Sequence, residues 1–197
     1  MKTKMNKLII LSGPSGVGKG TIESLLLKNK DLLIKLAISA TTRGKRKNEI
    51  DGINYFFLTH QIFKEKIENN EFLEWSRHFN NYYGTLKSQI EFIQSQNFIP
   101  LLEIDTTGAK NIIKNYQEKG ELDKLLTIFI LPPSLETLKK RIEKRLTETD
   151  AQINQRLEKA KSEIEIKNLF KFQVINDNLE ECVRQIEKII SKEILKS

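Results

Sequence analysis

Between Leu8 and Thr21 the chain reads LIILSGPSGVGKGT. Gly13, Gly16 and Gly18 let the backbone turn tightly with its N–H groups pointing inward, and Lys19 adds a full positive charge. A loop of this kind, between a strand and the N-terminus of a helix, cradles anionic oxygens, and its lysine reaches the β- and γ-phosphates of a nucleotide. One departure from the common G-x-x-x-x-G-K-[ST] pattern stands out: Gly20 follows the lysine and the hydroxyl comes one residue later, on Thr21. A Gly-Thr ending points away from switch GTPases and towards small kinases, which hold magnesium largely through water and substrate phosphates. A second group of residues also suits phosphate. Arg43 and Arg46 stand three apart, with Tyr55 nine further on. Guanidinium groups bind phosphate oxygens bidentately, and a phenol adds a neutral donor. Taken alone, Arg-x-x-Arg is better read as a solvated charge cluster.

These side chains need a scaffold, and the apolar pattern supplies one. Leu8–Leu11, Leu36–Ile38, Phe98–Ile104, Leu125–Leu131 and Phe172–Ile175 read as strands. Helical spacing marks Ile22–Lys28, Gly108–Tyr116, Ser134–Arg145 and Leu179–Leu195. Strands alternating with helices predict a parallel sheet covered on both faces, with ligands beyond the carboxyl ends of the strands. Ser134 is placed to cap its helix, and Thr149 with Gln152 forms a capping box that opens another. Two stretches interrupt the alternation. Residues from about 41 to 96 are aromatic and charged, with a strand at Tyr55–Leu58 and a helix at Thr59–Asn70, which suggests an inserted subdomain with its own small sheet. Residues from about 146 to 155 are polar between two helices and suit a cover.

Composition narrows the function classes. The 197 residues carry a formal net charge of +7, with 39% hydrophobic and 30% charged residues, enough apolar content for one domain with a substantial core. The lysines are dispersed among glutamates, and no stripe of basic and aromatic residues marks a nucleic-acid surface, so a solvated, lysine-rich surface is the better account of the charge, and a pocket for polyphosphates would use the same sign. Cys182 is the only cysteine, which rules out an intrachain disulfide, and it falls at an apolar position of the C-terminal helix. His60 and His78 lack metal-ligand spacing and read as surface residues. The N-terminal apolar run is too short for a signal peptide and no stretch approaches a membrane span; the expected compartment is the cytoplasm.

Ser39 to Phe57 reads SATTRGKRKNEIDGINYFF, which resembles the signature of guanylate kinases: Thr41-Thr42-Arg43, then Arg46, Glu49, Gly52, Tyr55 and Phe57. Further blocks follow in the order of that family: Glu71–Trp75, Tyr82–Thr85, Leu102–Asp105 with Gly108, Pro132–Ser134, and Asn176-Asp177. The resemblance spans about residues 7 to 190 and implies transfer of a phosphoryl group from ATP to GMP, and by extension to dGMP, with Mg²⁺ as cofactor. It implies an α/β fold: a P-loop parallel sheet core (6–38, 98–144 and 157–197), a mixed α/β GMP-binding insertion (39–97) and a short helical lid (145–156). It also implies a monomer or homodimer.

The resemblance assigns roles residue by residue. Gly13, Pro14, Ser15, Gly16, Val17, Gly18, Lys19, Gly20 and Thr21 would bind ATP, with Asn176 at the adenine ring. Arg43, Arg46, Tyr55 and Tyr83 would hold the GMP phosphate, with Glu49 positioning the arginines. Guanine offers N1–H and N2–H₂ donors beside an O6 acceptor, so its site wants carboxylates facing the donors and hydroxyls near O6. The resemblance places Glu74 and Asp105 as the carboxylates and Ser39 and Thr85 as the hydroxyls. Lys19, Arg46, Arg145 and Arg156 would act on the transferring group, the last two as lid arginines, with Arg141 a weaker candidate. No residue is expected to bind the metal directly; Thr21 or Glu103 would stand in its outer shell. Lys45, Asn48, Asn80 and Leu146 depart from the family's usual residues, and Leu146 after Arg145 predicts a stiffer or shifted lid hinge. The competing reading is a guanylate-kinase-like interaction module without activity; such modules usually lose the phosphate loop, which this chain keeps.

Overall fold

The aliphatic run Leu8–Ser12 becomes β1, buried along its whole length, in the computed structural model, which describes residues 6–78, 80–143 and 150–195. On either side lie β7 (Ile99–Glu103) and β8 (Leu125–Leu131), and the outer strands are β2 (Ile34–Leu36) and β9 (Phe172–Ile175). The order is β2-β7-β1-β8-β9, parallel throughout. Near-continuous Leu, Ile and Phe are what a strand covered on both faces requires. Alternation along β1 sorts the two layers. Ile9 and Leu11 join Ile22 and Leu26 of α1 (Lys19–Leu26) and Cys182, Ile186 and Ile190 of α7 (Leu179–Ile190). Leu8 and Ile10 join Ala109, Ile112 and Ile113 of α4 (Thr106–Glu118) and Ile90 and Ile93 of α3 (Lys87–Ser95).

A second sheet stands within residues 39–97. Its strands β3 (Ala40–Thr41), β4 (Phe56–Phe57), β5 (Phe72–His78) and β6 (Asn81–Leu86) are ordered β4-β3-β6-β5, with β3 and β4 parallel and the other pairs antiparallel. Helix α2 (His60–Glu68), capped by the Thr59 side chain on Ile62 N–H, covers it through Phe63. That ring stacks on Phe72 at 4.3 Å and on Tyr82 at 5.4 Å, centroid to centroid. The remaining pair, α5 (Leu135–Glu143) and α6 (Asp150–Glu165), meets through Leu138 and Ile142 against Ile153, Leu157 and Ala160.

The two strands Leu125–Leu131 and Phe172–Ile175 form over their expected residues. β2 lies two residues earlier than expected, at Ile34–Leu36; after Leu36 only the Ala37 N–H still reaches Leu101 O, at 2.9 Å. Ser134 accepts from Thr137 N–H at 3.0 Å, as a helix cap should. Thr149 of the expected capping box lies outside the described residues, as do Arg145 and Leu146. Asn48, at a position expected from the resemblance to carry glycine, takes no positive φ, so that loop does not ask for glycine's backbone. Cys182 is buried at the α1–α7 seam and burial pushes its thiol up to about 11, the profile of a core residue. Among the described residues no helix is long and apolar enough to cross a membrane.

Candidate active site

Where β1 ends, the glycine loop doubles back over the carboxyl ends of the strands. Gly13 has φ +153°, and a Cβ there would lie 2.4 Å from the Ile130 carbonyl oxygen of β8; the loop runs against that strand because no side chain stands between them. Gly18, at φ +101°, occupies the N-cap position of α1, and a Cβ there would meet Asn176 Nδ2 at 2.8 Å. Lys19, the first residue of α1, curls over the loop and donates to Gly13 O at 2.7 Å and Pro14 O at 3.3 Å. The start of α1 and its dipole therefore face the same space as the lysine.

That space is a cavity of about 820 Å³ between the parallel sheet and the smaller sheet. From the loop it is lined by Gly13, Ser15, Gly16, Gly18, Lys19, Gly20 and Thr21. Opposite stand Ser39, Arg43, Arg46, Tyr55, Glu74 and Tyr83, with Glu103 and Asp105 from the end of β7 and Arg156 from α6. Sixteen residues expected from the sequence thus share one wall system.

The basic corner is built around one carboxylate. Glu49 takes Arg43 Nη2 at 2.7 Å on one oxygen and the Arg46 backbone N–H at 2.8 Å on the other. Those two bonds, Arg43 first, hold its carboxyl down to about 2, so it stays ionised and keeps the loop of the two arginines in shape. The Arg43 guanidinium lies 5.5 Å from the Tyr55 ring centroid and 5.8 Å from that of Phe57, and Tyr55 and Tyr83 meet edge to face at 6.2 Å. Burial raises the Tyr55 phenol above its ordinary value, which keeps it a neutral donor. Glu49 itself does not line the cavity; it works from behind the arginines.

The acidic corner is drier. Glu74 of β5 is 7% exposed and accepts from Thr85 Oγ1 at 2.9 Å. Burial, with Asp105 as a lesser like-charged neighbour, pushes its carboxyl up to about 7. Its other oxygen leans on α4, where a Cβ at Gly108 would come within 2.6 Å. Gly108 is therefore the space that Glu74 occupies. Asp105 caps α4, with Oδ1 accepting from Thr107 N–H at 2.7 Å and Gly108 N–H at 3.0 Å, and Oδ2 accepting from Ser76 Oγ at 3.0 Å.

Several expected residues are found elsewhere. Thr85 was expected beside O6 of a guanine; it is fully buried, its hydroxyl donates to Glu74, and it does not line the cavity. Asn176, expected at an adenine ring, is buried beneath the loop, where Nδ2 donates to Val17 O at 2.8 Å. Its backbone carbonyl accepts from Arg141 Nη2 at 2.9 Å, which brings Arg141 to the end of β9. Pro14 and Val17 shape the loop from inside, and Val17 is wholly buried. Arg145 lies outside the described residues.

Reading the sequence missed Ser76, Asn81, Lys159 and Glu163, all on the cavity wall. The last two had a signal: positions 156, 159 and 163 of one helix share a face. Oxygen donors suited to a hard cation are present beside the loop, in the Thr21 hydroxyl and the Glu103 carboxylate. Glu23 on α1 stands near the latter; burial first, then Glu103, pushes its carboxyl up to about 7. Among the described residues no three acidic, histidine or cysteine side chains gather into a metal cage, so a cation here would complete its shell with phosphates and water.

A family model for guanylate kinase matches residues 5–193. The guanylate kinase of Mesomycoplasma hyopneumoniae strain J is 84% identical over 197 residues, the whole of both chains. That of Mycoplasma mobile is 52% identical over 188 residues, 95% of this chain and 94% of its own. A crystal structure of guanylate kinase from Anaplasma phagocytophilum matches with a TM-score of 0.75 at 28% identity, covering 97% of this chain and 87% of that one.

Proposed function

The chain belongs to the guanylate kinase family, and from that premise we propose how its own side chains carry a phosphoryl group from ATP to GMP, giving ADP and GDP. The observation that carries the reading is one cavity whose walls hold a phosphate loop with Lys19, a basic corner with Arg43, Arg46, Tyr55 and Tyr83, and a buried carboxylate, Glu74. In this reading the loop 13–21 takes the ATP phosphates. Arg43, Arg46, Tyr55 and Tyr83 take the GMP phosphate, with Glu49 holding the arginines. Glu74 and Asp105 accept from the guanine N–H groups, Ser39 donates near O6, and Thr85 acts through Glu74. We assign residues 39–97 as the GMP-binding insertion and 145–156 as the lid, whose second half is continuous with α6.

A GMP phosphate has its second pKa at about 6, so its oxygen is already ionised at neutral pH and needs no general base. That oxygen attacks the γ-phosphorus in line, the bond to the β–γ bridging oxygen breaks, and ADP leaves with the electron pair. The protein's work is to bring two anions together and to neutralise charge that spreads over the transferring group. Lys19, Arg46 and Arg156 supply it, joined by Arg145. Mg²⁺ would be held mainly by the ATP phosphates and water, with Thr21 or Glu103 in its outer shell; bound there, the ion would add further charge neutralisation. Closure of the lid excludes water and limits ATP hydrolysis. The alternative, an interaction module without activity, has no support in a cavity that keeps the loop, the lysine and both phosphate-facing arginines. Cytoplasmic location and use of dGMP belong to the same proposal.

The test is ADP production from ATP and Mg²⁺ with GMP, AMP, CMP and UMP in parallel. Turnover with GMP and not with the others is the expected result. Preference for another monophosphate would overturn the base-pocket assignment, and absence of turnover in folded protein would overturn the kinase mechanism.

A further inference from the structure

Helix α6 presents a polar stripe to the cavity: Arg156, Lys159 and Glu163, three and four residues apart. Its adjoining face, Ile153, Leu157 and Ala160, is fixed on α5. Glu163 is the buried end of the stripe, 8% exposed, and one oxygen accepts from the Ser15 backbone N–H at 3.1 Å while the other lies 3.8 Å from Lys159 Nζ. A glutamate buried on a helix is rare unless it is hydrogen-bonded, and here its partner is the tip of the phosphate loop, 148 residues away in sequence. We propose that Glu163 is a positioning residue which fixes the tip of the phosphate loop to the helix that carries Arg156, so that loop and arginine take up one shared geometry around the ATP phosphates.

The inference rests on the kinase reading above and adds a coupling to it. The loop also rests on Ile130 of β8, on Asn176, and through Gly16 on Ile142 and Leu138 of α5. The Ser15 N–H bond ties it directly to α6. Moving α6 by an ångström would displace Arg156 and loosen the loop together. A 1 Å misplacement of this kind is enough to cost orders of magnitude in rate.

The experiment compares wild type, Glu163→Ala and Glu163→Gln in steady-state kinetics and in separate calorimetric titrations with ATP and GMP. A glutamine oxygen still accepts from Ser15 N–H, so it should restore what alanine removes. Expected for Glu163→Ala is a KM for ATP raised about tenfold or more and a lowered kcat, as for a lost hydrogen bond to a charged group, with GMP affinity within about twofold of wild type. Glu163→Gln should return to within about threefold of wild type on the same principle. An unchanged KM for ATP in Glu163→Ala, an equal loss for both nucleotides, or a glutamine variant as impaired as alanine would each overturn the proposal. Wild-type protein inactive on GMP would instead overturn the kinase reading, while the ATP titration still decides the role of Glu163.

Discussion

In the proposed mechanism, Glu74 is the residue on which discrimination of the base turns. Its carboxyl is raised from the ordinary 4.5 to about 7, chiefly by burial, so near neutrality the empty site holds it partly protonated. A protonated carboxyl offers one acceptor fewer to the N1–H and N2–H₂ of guanine. Binding should therefore draw the ionised form, and GMP affinity should rise with pH up to about 7 and level off above it. At pH 6 roughly nine-tenths of the group is protonated, which predicts affinity about tenfold below the plateau. The GMP phosphate titrates near pH 6 as well, and Glu74→Gln separates the two effects. The variant keeps the phosphate's limb, loses the one near 7 and binds GMP about 10- to 100-fold more weakly at pH 8, the range for a hydrogen bond to a charged group. Calorimetric titration of both proteins from pH 5.5 to 8.5 checks this; parallel profiles would remove Glu74 from the base pocket. The same raised value has a sign for the empty protein. The folded chain holds this proton more tightly than the unfolded chain, so the stability it contributes is present below 4.5 and is lost as pH rises through about 7.

At the scale of elements, the small sheet has its own apolar centre, and Phe63 is its middle: fully buried, with Phe72 and Tyr82 stacked on its ring. Phe63→Ala should cost about 3–5 kcal/mol, the range for emptying an aromatic site. Because that sheet carries Arg43, Glu74 and Tyr83, GMP affinity should fall with it while ATP affinity changes little. Urea unfolding and separate nucleotide titrations check both halves; equal losses for ATP and GMP would contradict an independent centre. The same element shows why some of the fold was readable in the sequence and some was not. β1, β7 and β8 stand out because strands covered on both faces are written as unbroken aliphatic runs. β5 and β6 do not, since Glu74, Ser76 and Tyr83 interrupt the alternation to serve the cavity, and such conflicts gather at functional sites. Helix α3 was hidden for another reason: its N-cap is Leu86, with no side-chain cap to announce it. Among the site residues the motif types were evident, but the partners of Thr85 and Asn176 were not. Which way a hydroxyl or amide points depends on the partner it finds: Thr85 meets Glu74 across the β5–β6 pair, and Asn176 meets the Val17 carbonyl from far along the chain.

For the whole molecule, the proposed reading brings the two nucleotides in from different sides to meet at the reacting atoms. The phosphate loop is an outgrowth of the parallel sheet, most of the groups assigned to GMP belong to the small sheet and the segments beside it, Asp105 stands at the end of the parallel sheet, and one cavity joins them. An overall charge of +7 suits two polyanionic substrates, yet in the proposed mechanism the charge that acts on the transfer is local, at Lys19, Arg46 and Arg156. If Lys19 serves only the transferring phosphates, its removal should be felt by one substrate and by the chemistry alone. Lys19→Ala is expected to lower kcat by about a thousandfold, as for loss of a group aimed at transition-state charge. GMP affinity should stay within about twofold of wild type, because Arg43 and Arg46 neutralise that phosphate from the other wall. Single-turnover kinetics and GMP titration of the same preparation measure the two quantities together. A collapse of GMP affinity alongside turnover would mean that the lysine supports the shape of the whole cavity through its bonds to Gly13 and Pro14. The division of labour between the two sheets would then have to be abandoned.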